Sequence, residues 1–110
     1  PFSKMILVEV TSPNQINVNN IAWKLYHFLN KQINSLAEPA SIGLMKPAPA
    51  LIYKIKNIYR VHIILKIMKS TNDTIALSEN MIKELYNFVN EQKIKSSERV
   101  SVDVDPLSFY

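Results

Sequence analysis

The strongest structural signal in the sequence is the segment from Ile58 to Met68, where two kinds of side chain alternate. A repeat of two residues places alternate side chains on opposite faces of a β-strand, and branched apolar residues favour that conformation. The pattern therefore predicts a strand with one face in the core and one partly basic face. The core face is formed by Tyr59, Val61, Ile63, Leu65 and Ile67, and the other face by Ile58, Arg60, His62, Ile64 and Lys66.

Three elements are predicted before this strand. Lys4–Val10 is rich in branched apolar residues that alternate in the same way, which predicts a first strand. From about Asn17 to Leu36 the apolar residues recur at the spacing of a helical stripe. This helix region ends at Glu38–Pro39, because a residue before proline is disfavoured in helical geometry. A short second strand follows at about Ser41–Met45.

Prolines, hydroxyl groups and valines predict the remaining elements. Lys46–Ala50 contains two prolines, which cannot serve a central hydrogen-bonding ladder, so we expect a stiff connector at an edge or on the surface. Ser70–Asp73 matches a capping box and predicts the start of a second helix, with Ser78 as the alternative start. That helix ends near residues 93–97, and alternating valines predict a last strand at about Val100–Val104.

The order of these elements is βαββαβ. Two helices packed on one face of a four-stranded, mainly antiparallel sheet are the economical architecture for this order. We therefore predict a ferredoxin-like α+β sandwich. A length of 110 residues suits a single domain, and an apolar fraction of 47% with a charged fraction of 20% excludes disordered, collagen-like and coiled-coil classes.

The sequence lacks the residues on which several kinds of chemistry depend. Without cysteine, the chain forms no disulfide, no thiolate metal site and no cysteine nucleophile. Gly43 is the sole glycine, so a glycine-rich phosphate cradle, and with it nucleotide hydrolysis, is excluded. No apolar run reaches the roughly 18 residues of a membrane span, so no membrane partner is expected. We predict no catalytic residue and no cofactor within this chain.

Histidines and paired aspartates are the remaining candidates for a reactive site. His27 and His62 lack the spacing of metal ligands, so no metal site is predicted. His27 lies beside the apolar stripe and is expected to be exposed or to snorkel towards solvent, whereas His62 is either a ligand-facing residue or a solvated strand residue. Asp103 and Asp105 share a strand face and could in principle transfer a proton or bind a divalent cation. The favoured interpretation is that they face solvent or pair with a cross-strand cation.

A basic and aromatic stretch runs from the proline connector through the predicted strand at Ile58–Met68. Lysine and arginine neutralise phosphates and rings stack on bases, so the stretch and the net charge of +4 fit a nucleic acid. A solvated strand face explains the same charges equally well. An RNA-recognition domain is not favoured, because its open face needs aromatic rings that this strand lacks. The stretch comprises Lys46, Lys54, Lys56, Arg60 and Lys66, with Tyr53, Tyr59 and His62 between them.

Two parts of the sequence resemble a known family. They are Pro47–Ala50 followed by Tyr59–Lys66, and the ending Val100–Pro106. Their order and spacing resemble the C-terminal domain of PriA, the primosomal replication-restart helicase also called primosomal protein N-prime. Pro1–Phe2 is similar to the family's boundary after the second helicase lobe. The resemblance implies an S10-like fold, with residues 1–110 forming a single C-terminal domain of a longer cytoplasmic enzyme.

The same resemblance implies where the chemistry of the whole enzyme lies. Family members are ATP-dependent 3′-to-5′ DNA helicases that recognise abandoned forks and load the replicative helicase. Their ATPase motifs, which use ATP with magnesium, and their zinc-binding insertion lie upstream, so neither cofactor is expected in this chain. The expected partners are branched or fork DNA, the helicase lobes, primosome proteins and single-strand DNA-binding protein. The domain is expected to be a monomer.

Candidate site residues follow from the basic stretch and from this resemblance. Two functions from different classes remain open: a module that holds DNA phosphates, and a docking module for the rest of the helicase with negligible DNA affinity of its own. The sequence departs from the family pattern at Lys46, Ile58 and His62, and a missing cation at Ile58 weakens a continuous phosphate track. The DNA-binding candidates are Lys54, Lys56, Tyr59, Arg60, His62 and Lys66, and the docking candidates are Trp23, Asp103 and Asp105.

Overall fold

A computed structural model describes residues 4–38, 41–69 and 71–105, and this part of the chain forms an α+β fold with two helices and a five-stranded antiparallel sheet. The predicted fold class is therefore confirmed. Pro1–Phe2, Pro39, Ser70 and Pro106, on which parts of the predictions rested, lie outside the described residues. The elements are β1 (Lys4–Ser12), α1 (Gln15–Asn34), β2 (Ile42–Leu44), β3 (Ala48–Ile55), β4 (Ile58–Ile67), α2 (Asn72–Glu91) and β5 (Arg99–Val104).

Strand β1 lies at the centre of the sheet between β4 and β5. It pairs antiparallel with β4 from Lys4 opposite Ile67 to Ser12 opposite Tyr59. On its other side it pairs antiparallel with β5, where Thr11 lies opposite Arg99. Strand β2 pairs with the far side of β4, which gives the order β2-β4-β1-β5. Each helix thus connects strands that are not neighbours in the sheet, which is the ferredoxin-like topology.

Strand β3 is the main difference from the predicted four-stranded sheet. It pairs with β4 through Pro49 opposite Val61 and, after a break in register, through Lys54 opposite Tyr59. Because β2 and β3 both pair with β4, the second strand of the predicted topology comes in two pieces. The connector expected at Lys46–Ala50 is therefore partly strand, although Pro49 does lie at a sheet edge, where proline is tolerated.

A two-residue turn joins β3 to β4. Ile55 pairs with Ile58, and the two residues between them, Lys56 and Asn57, have φ angles of 50° and 64°. Positive φ at both central positions is the backbone pattern of a type I′ hairpin turn, whose twist matches that of the flanking strands. We refer to residues 48–67 as the β3–β4 hairpin. Lys56 lies at its tip.

The two helices cover one face of the sheet and form the core with it. The alternation predicted for β4 is confirmed, since its predicted core residues from Val61 to Ile67 are buried. The rings of Phe28 on α1 and Phe88 on α2 stack at 4.3 Å and join the two helices. Each fully buried aliphatic side chain contributes about 1.5–3 kcal/mol. The fully buried residues include Ile6, Val8 and Val10 of β1, Val18, Leu25 and Leu29 of α1, Ile63 and Ile67 of β4, and Leu85 of α2.

The start of α2 differs from the predicted capping box. Thr71 is the N-cap, its hydroxyl accepts the Thr74 backbone N–H, and the Thr74 hydroxyl accepts the Thr71 N–H. The hydroxyl–hydroxyl pair replaces the predicted pair of Ser70 with Asp73. The alternative start at Ser78 is wrong, since that residue lies buried within the helix. Neither described helix is long and apolar enough to span a membrane.

Candidate nucleic-acid interface

A charged cluster lies on the face of the sheet opposite the helices. Glu9 on β1 faces His62 across the β1–β4 ladder, and its Oε2 lies 2.7 Å from Arg60 Nη2 and 2.8 Å from His62 Nε2. The side chains of Arg60 and His62 are 15% and 6% exposed, and that of Glu9 is 25% exposed. One carboxylate oxygen therefore lies within hydrogen-bond distance of two of the six predicted DNA-binding residues.

Arg60 also joins the central sheet to the interrupted part of β3. Its Nη1 donates to the backbone carbonyl of Ile52 at 2.9 Å, within the segment where the ladder between β3 and β4 loses its register. The guanidinium thus bridges Glu9 on β1 and the β3 backbone. Sequence reasoning missed Glu9 as the partner. The alternation of residues in β1 places Glu9 on the face away from the core, which the sequence does indicate. Only the register between β1 and β4 shows that Glu9 lies opposite His62.

The cations of the β3–β4 hairpin are placed differently. Lys54 and Lys56 are exposed, and neither forms an ion pair with any residue that the structure describes. Lys54 Nζ lies 4.9 Å from the centre of the Tyr59 ring, a cation–π distance, and the Tyr59 and Tyr53 rings are 5.2 Å apart. The structure therefore brings Lys54, Lys56 and Tyr59 together at the turn end of the hairpin.

Lys66 and Lys46 lie apart from this group. Lys66 is half-buried near the other end of β4, opposite Met5 and Gly43, about 20 Å along the strand from Arg60. Lys46 is exposed between β2 and β3. The basic stretch of the sequence is therefore divided in space. Only its middle part, at the hairpin, presents neighbouring lysines to solvent.

Large aliphatic side chains accompany the lysines on this hairpin. Leu51 is 83% exposed, and Ile52 and Ile55 are 46% and 41% exposed. Sequence reasoning did not identify them, because the interruption of β3 removes the two-residue alternation that would separate inner from outer positions. The hairpin surface therefore combines exposed lysines with exposed aliphatic side chains.

More cations lie at the same end of the sheet as the hairpin turn. Tyr59 pairs with Ser12 at the end of β1, and Arg99 pairs with Thr11 beside it, so Arg99 and the preceding α2–β5 loop share this end. A cleft of about 260 Å³ between α1 and this loop is lined by three lysines, Lys24, Lys93 and Lys95. Sequence reasoning missed them, since they come from separate parts of the chain. We call the group formed by Lys54, Lys56, Lys93, Lys95 and Arg99 the basic end.

A buried carboxylate fixes the α2–β5 loop at the basic end. Glu98 is 8% exposed; its Oε1 accepts the Lys95 backbone N–H at 3.0 Å and its Oε2 accepts the Ser12 hydroxyl at 3.0 Å. The Ser12 hydroxyl in turn accepts the Asn14 N–H at the start of α1. Burial raises the pKa of Glu98, but the hydrogen bonds from Lys95, Ser12 and Asn17 and the Lys95 charge bring that pKa below its ordinary value of 4.5.

The lowered pKa of Glu98 predicts a pH-dependent contribution to stability. In the unfolded chain Glu98 takes up a proton near pH 4.5, whereas the folded protein resists protonation to lower pH. The contribution is therefore fully present above the unfolded pKa and is lost as pH falls through the folded pKa. We expect the difference in unfolding free energy between the wild type and Glu98→Gln, measured by urea denaturation, to shrink between about pH 6 and pH 3. A constant difference across that range would contradict this expectation.

The predicted docking residues do not form one surface. Trp23 is 38% exposed on α1, where its ring lies within 6 Å of the rings of Tyr26 and His27. His27 is exposed, as predicted. Asp103 is exposed on the opposite face of the sheet, facing Leu7 across the ladder. The Asp105 carboxylate accepts the Met5 backbone N–H at 2.9 Å and closes the β1–β5 pair.

No group of three or more histidine, aspartate or glutamate side chains among residues 4–38, 41–69 and 71–105 is arranged to bind a metal ion. The clusters described above therefore offer hydrogen bonding, positive charge and apolar surface rather than a metal centre. Such an arrangement suits the binding of an anionic polymer.

Comparison with known proteins identifies the family. No curated protein matches the chain. Among solved structures, the chain is similar to a de novo designed protein, Foldit4, with a TM-score of 0.57 and 10% sequence identity, covering 96% of this chain and 98% of that one. At this identity the similarity shows the fold alone. The model of the family described as the primosomal protein N C-terminal domain matches residues 1–107. The chain therefore belongs to the PriA C-terminal domain family, as its sequence motifs predicted.

Proposed function

We propose that this domain helps to bind branched DNA beside the helicase lobes of a replication-restart helicase, through the phosphates of the DNA. The observation that carries the proposal is the pair of exposed hairpin lysines, Lys54 and Lys56, which have no ion-pair partner among the described residues. Neither lysine gives up an ion pair when it neutralises a phosphate, and Lys54 would exchange its contact with the Tyr59 ring. Family membership supports the context, since a primosomal protein acts where DNA is branched.

The surrounding structure supports a contact with the phosphate backbone. Lys93, Lys95 and Arg99 lie at the same end of the sheet, so an approaching polyanion meets several cations on one side of the domain. Phosphate contacts of this kind position a protein on DNA and carry no sequence information. The proposed binding is therefore independent of sequence and sensitive to salt.

The remaining DNA-binding candidates have other roles within this proposal. Arg60 and His62 contact Glu9, and Tyr59 lies beneath Lys54. We assign these three residues to shaping the hairpin, with the lysines as the phosphate ligands. Lys66 stays a prediction as an additional ligand at a different place on the sheet. Catalysis and the ATP and zinc sites are assigned, by family resemblance, to other parts of the whole enzyme.

The proposal is tested by fluorescence anisotropy of this chain with labelled forked, duplex and single-stranded DNA across a salt series. The wild type is expected to lose affinity log-linearly with salt concentration. In Lys54→Gln/Lys56→Gln, the slope should fall by about two, one for each lost phosphate contact. The matched control is Lys31→Gln/Lys83→Gln, which removes two exposed helix lysines and should leave the slope unchanged. Absence of binding by a folded wild type at low salt would overturn the proposal.

A docking module is the second candidate function, and one observation favours it. The Trp23, Tyr26 and His27 rings form an aromatic cluster on α1. Partly exposed tryptophan and tyrosine are enriched at protein interfaces. The partner in this case is a helicase lobe, a primosome protein or single-strand DNA-binding protein. Trp23→Ala should weaken a pull-down with the lobes while leaving DNA affinity unchanged.

A further inference from the structure

Leu51 occupies an unusual position in the β3–β4 hairpin. Four residues of β3, Ala50 to Tyr53, lie between the paired positions Pro49 and Lys54, whereas Arg60 alone separates their partners on β4. The extra residues form a bulge at the sheet edge. Within this bulge Leu51 is 83% exposed, a larger exposed fraction than that of any other large apolar residue in the described part of the chain.

The bulge is anchored on both sides of Leu51. Before it, Ala50 is 5% exposed and fixed against the domain. After it, the Ile52 carbonyl accepts Arg60 Nη1 at 2.9 Å, and the other terminal nitrogen of Arg60 lies 2.7 Å from Glu9. Next along the chain, the Tyr53 ring contacts Tyr59 at 5.2 Å between ring centres. Leu51 is therefore presented by a fixed backbone rather than by a free loop.

Apolar and cationic groups lie close together on this hairpin. Leu51 precedes Lys54 by three residues, so their Cα atoms lie no more than about 10 Å apart. DNA grooves are about 7.5–8.5 Å deep, so bases lie within a comparable distance of the phosphates that the lysines would hold. A leucine there gains nothing from phosphates, whereas the face of a base offers it apolar contact. Aliphatic side chains that enter DNA between base steps are known as wedges.

We propose that Leu51 packs as an apolar wedge against base faces exposed where DNA strands separate, while Lys54 and Lys56 hold the neighbouring phosphates. This inference rests on the proposed DNA-binding function and specifies its substrate as DNA with a branch point or unpaired bases. Insertion into an intact stack requires unstacking, whereas bases at a branch are already partly unstacked. Leu51 therefore favours forked over uninterrupted DNA. Arg60 is a positioning residue, because it holds the bulge that presents Leu51.

The test compares forked DNA with a duplex of equal length and charge, using this chain and its Leu51→Ala variant. The ratio of the two affinities is measured by anisotropy, and 2-aminopurine at the branch reports base stacking by its fluorescence. We expect the wild type to favour the fork by about tenfold, a discrimination typical of one apolar contact. In Leu51→Ala the ratio should approach one, with duplex affinity and salt slope unchanged and the 2-aminopurine response lost. The matched control is Ile16→Ala, since Ile16 is 71% exposed on α1.

The possible failures are distinguishable. If the chain binds DNA with the expected salt slope but Leu51→Ala keeps the fork preference, the wedge is overturned and the phosphate-binding function stands. If the folded chain binds no DNA at low salt, both are overturned. If Leu51→Ala weakens association with the helicase lobes and leaves fork binding unchanged, the exposed aliphatic surface belongs to docking, which also overturns the wedge.

Discussion

Replacing Glu98 with alanine is expected to lower the free energy of unfolding by about 3 kcal/mol, because the buried Ser12 hydroxyl and the part-buried Lys95 N–H lose their acceptor. The Ser12 hydroxyl and the Lys95 backbone N–H both donate to this carboxylate, and Asn17 adds a side-chain hydrogen bond. Each buried donor left without a partner costs about 1–3 kcal/mol, and water entering from the adjacent cleft offsets part of the sum. The substitution is expected to weaken both the end of β1 and the start of α1, since the Asn14 backbone N–H donates a hydrogen bond to the Ser12 hydroxyl.

Thermal and urea denaturation followed by circular dichroism measure this effect. For a domain of this size, the change corresponds to a fall in Tm of more than about 10 °C. Glu79→Ala is the matched control, because Glu79 is exposed on α2, and it should change stability by less than about 0.5 kcal/mol. A loss below about 1 kcal/mol in Glu98→Ala would show that the three donors find other partners.

Replacing Glu9 with alanine is expected to cost about 2 kcal/mol. Arg60 and His62 both lie within hydrogen-bond distance of the Glu9 carboxylate. Their side chains are 15% and 6% exposed, so water can replace the lost carboxylate as a hydrogen-bond partner only in part. Breaking a fully buried ion pair costs roughly 3–5 kcal/mol, and the 25% exposure of Glu9 reduces that figure. Arg60 keeps its hydrogen bond to the Ile52 carbonyl, so the bulge is expected to stay largely in place.

A double-mutant cycle isolates this interaction from the other consequences of each substitution. Glu9→Ala, Arg60→Met and the combined variant are compared by urea denaturation, and a coupling free energy of about 1 kcal/mol is expected for groups in direct contact. Glu9→Gln keeps one acceptor oxygen and should lose about half as much as Glu9→Ala. Additive single and double variants would mean that the short distance between Glu9 and Arg60 carries no net stabilisation.

Most of the fold could be predicted from residue patterns. In strands β1, β4 and β5 branched apolar residues recur at every second position, because one face of each strand lies towards the core, and α1 carries an uninterrupted apolar stripe. Strand β3 could not be predicted, since Pro49 and the bulge at Leu51 remove both the alternation and the continuous ladder that a pattern depends on. The cap of α2 was displaced by one residue because a threonine hydroxyl, not a carboxylate, completes the box.

The candidate site was predicted less completely than the fold. Lys54 and Lys56 could be proposed from charge and from family resemblance. The engagement of Arg60 and His62 by Glu9 depends on strand register, which the sequence of β4 alone does not contain. The exposure of Leu51 depends on the bulge, and the grouping of Lys93 with the hairpin end depends on the arrangement of α2 and β5. Contacts between distant segments thus account for what residue patterns missed.

The bulge and proline of β3 have a consequence for how copies of the domain associate. An edge strand with a regular row of unpaired backbone groups is a template for another strand, and proline or a bulge removes that regularity. The β3 edge contains both, whereas β5 pairs with β1 without a break in register. The bulge and the proline therefore protect the part of this edge that β3 forms. On the opposite edge, the regular strand β5 is where strand addition between copies of the domain in concentrated solution would begin.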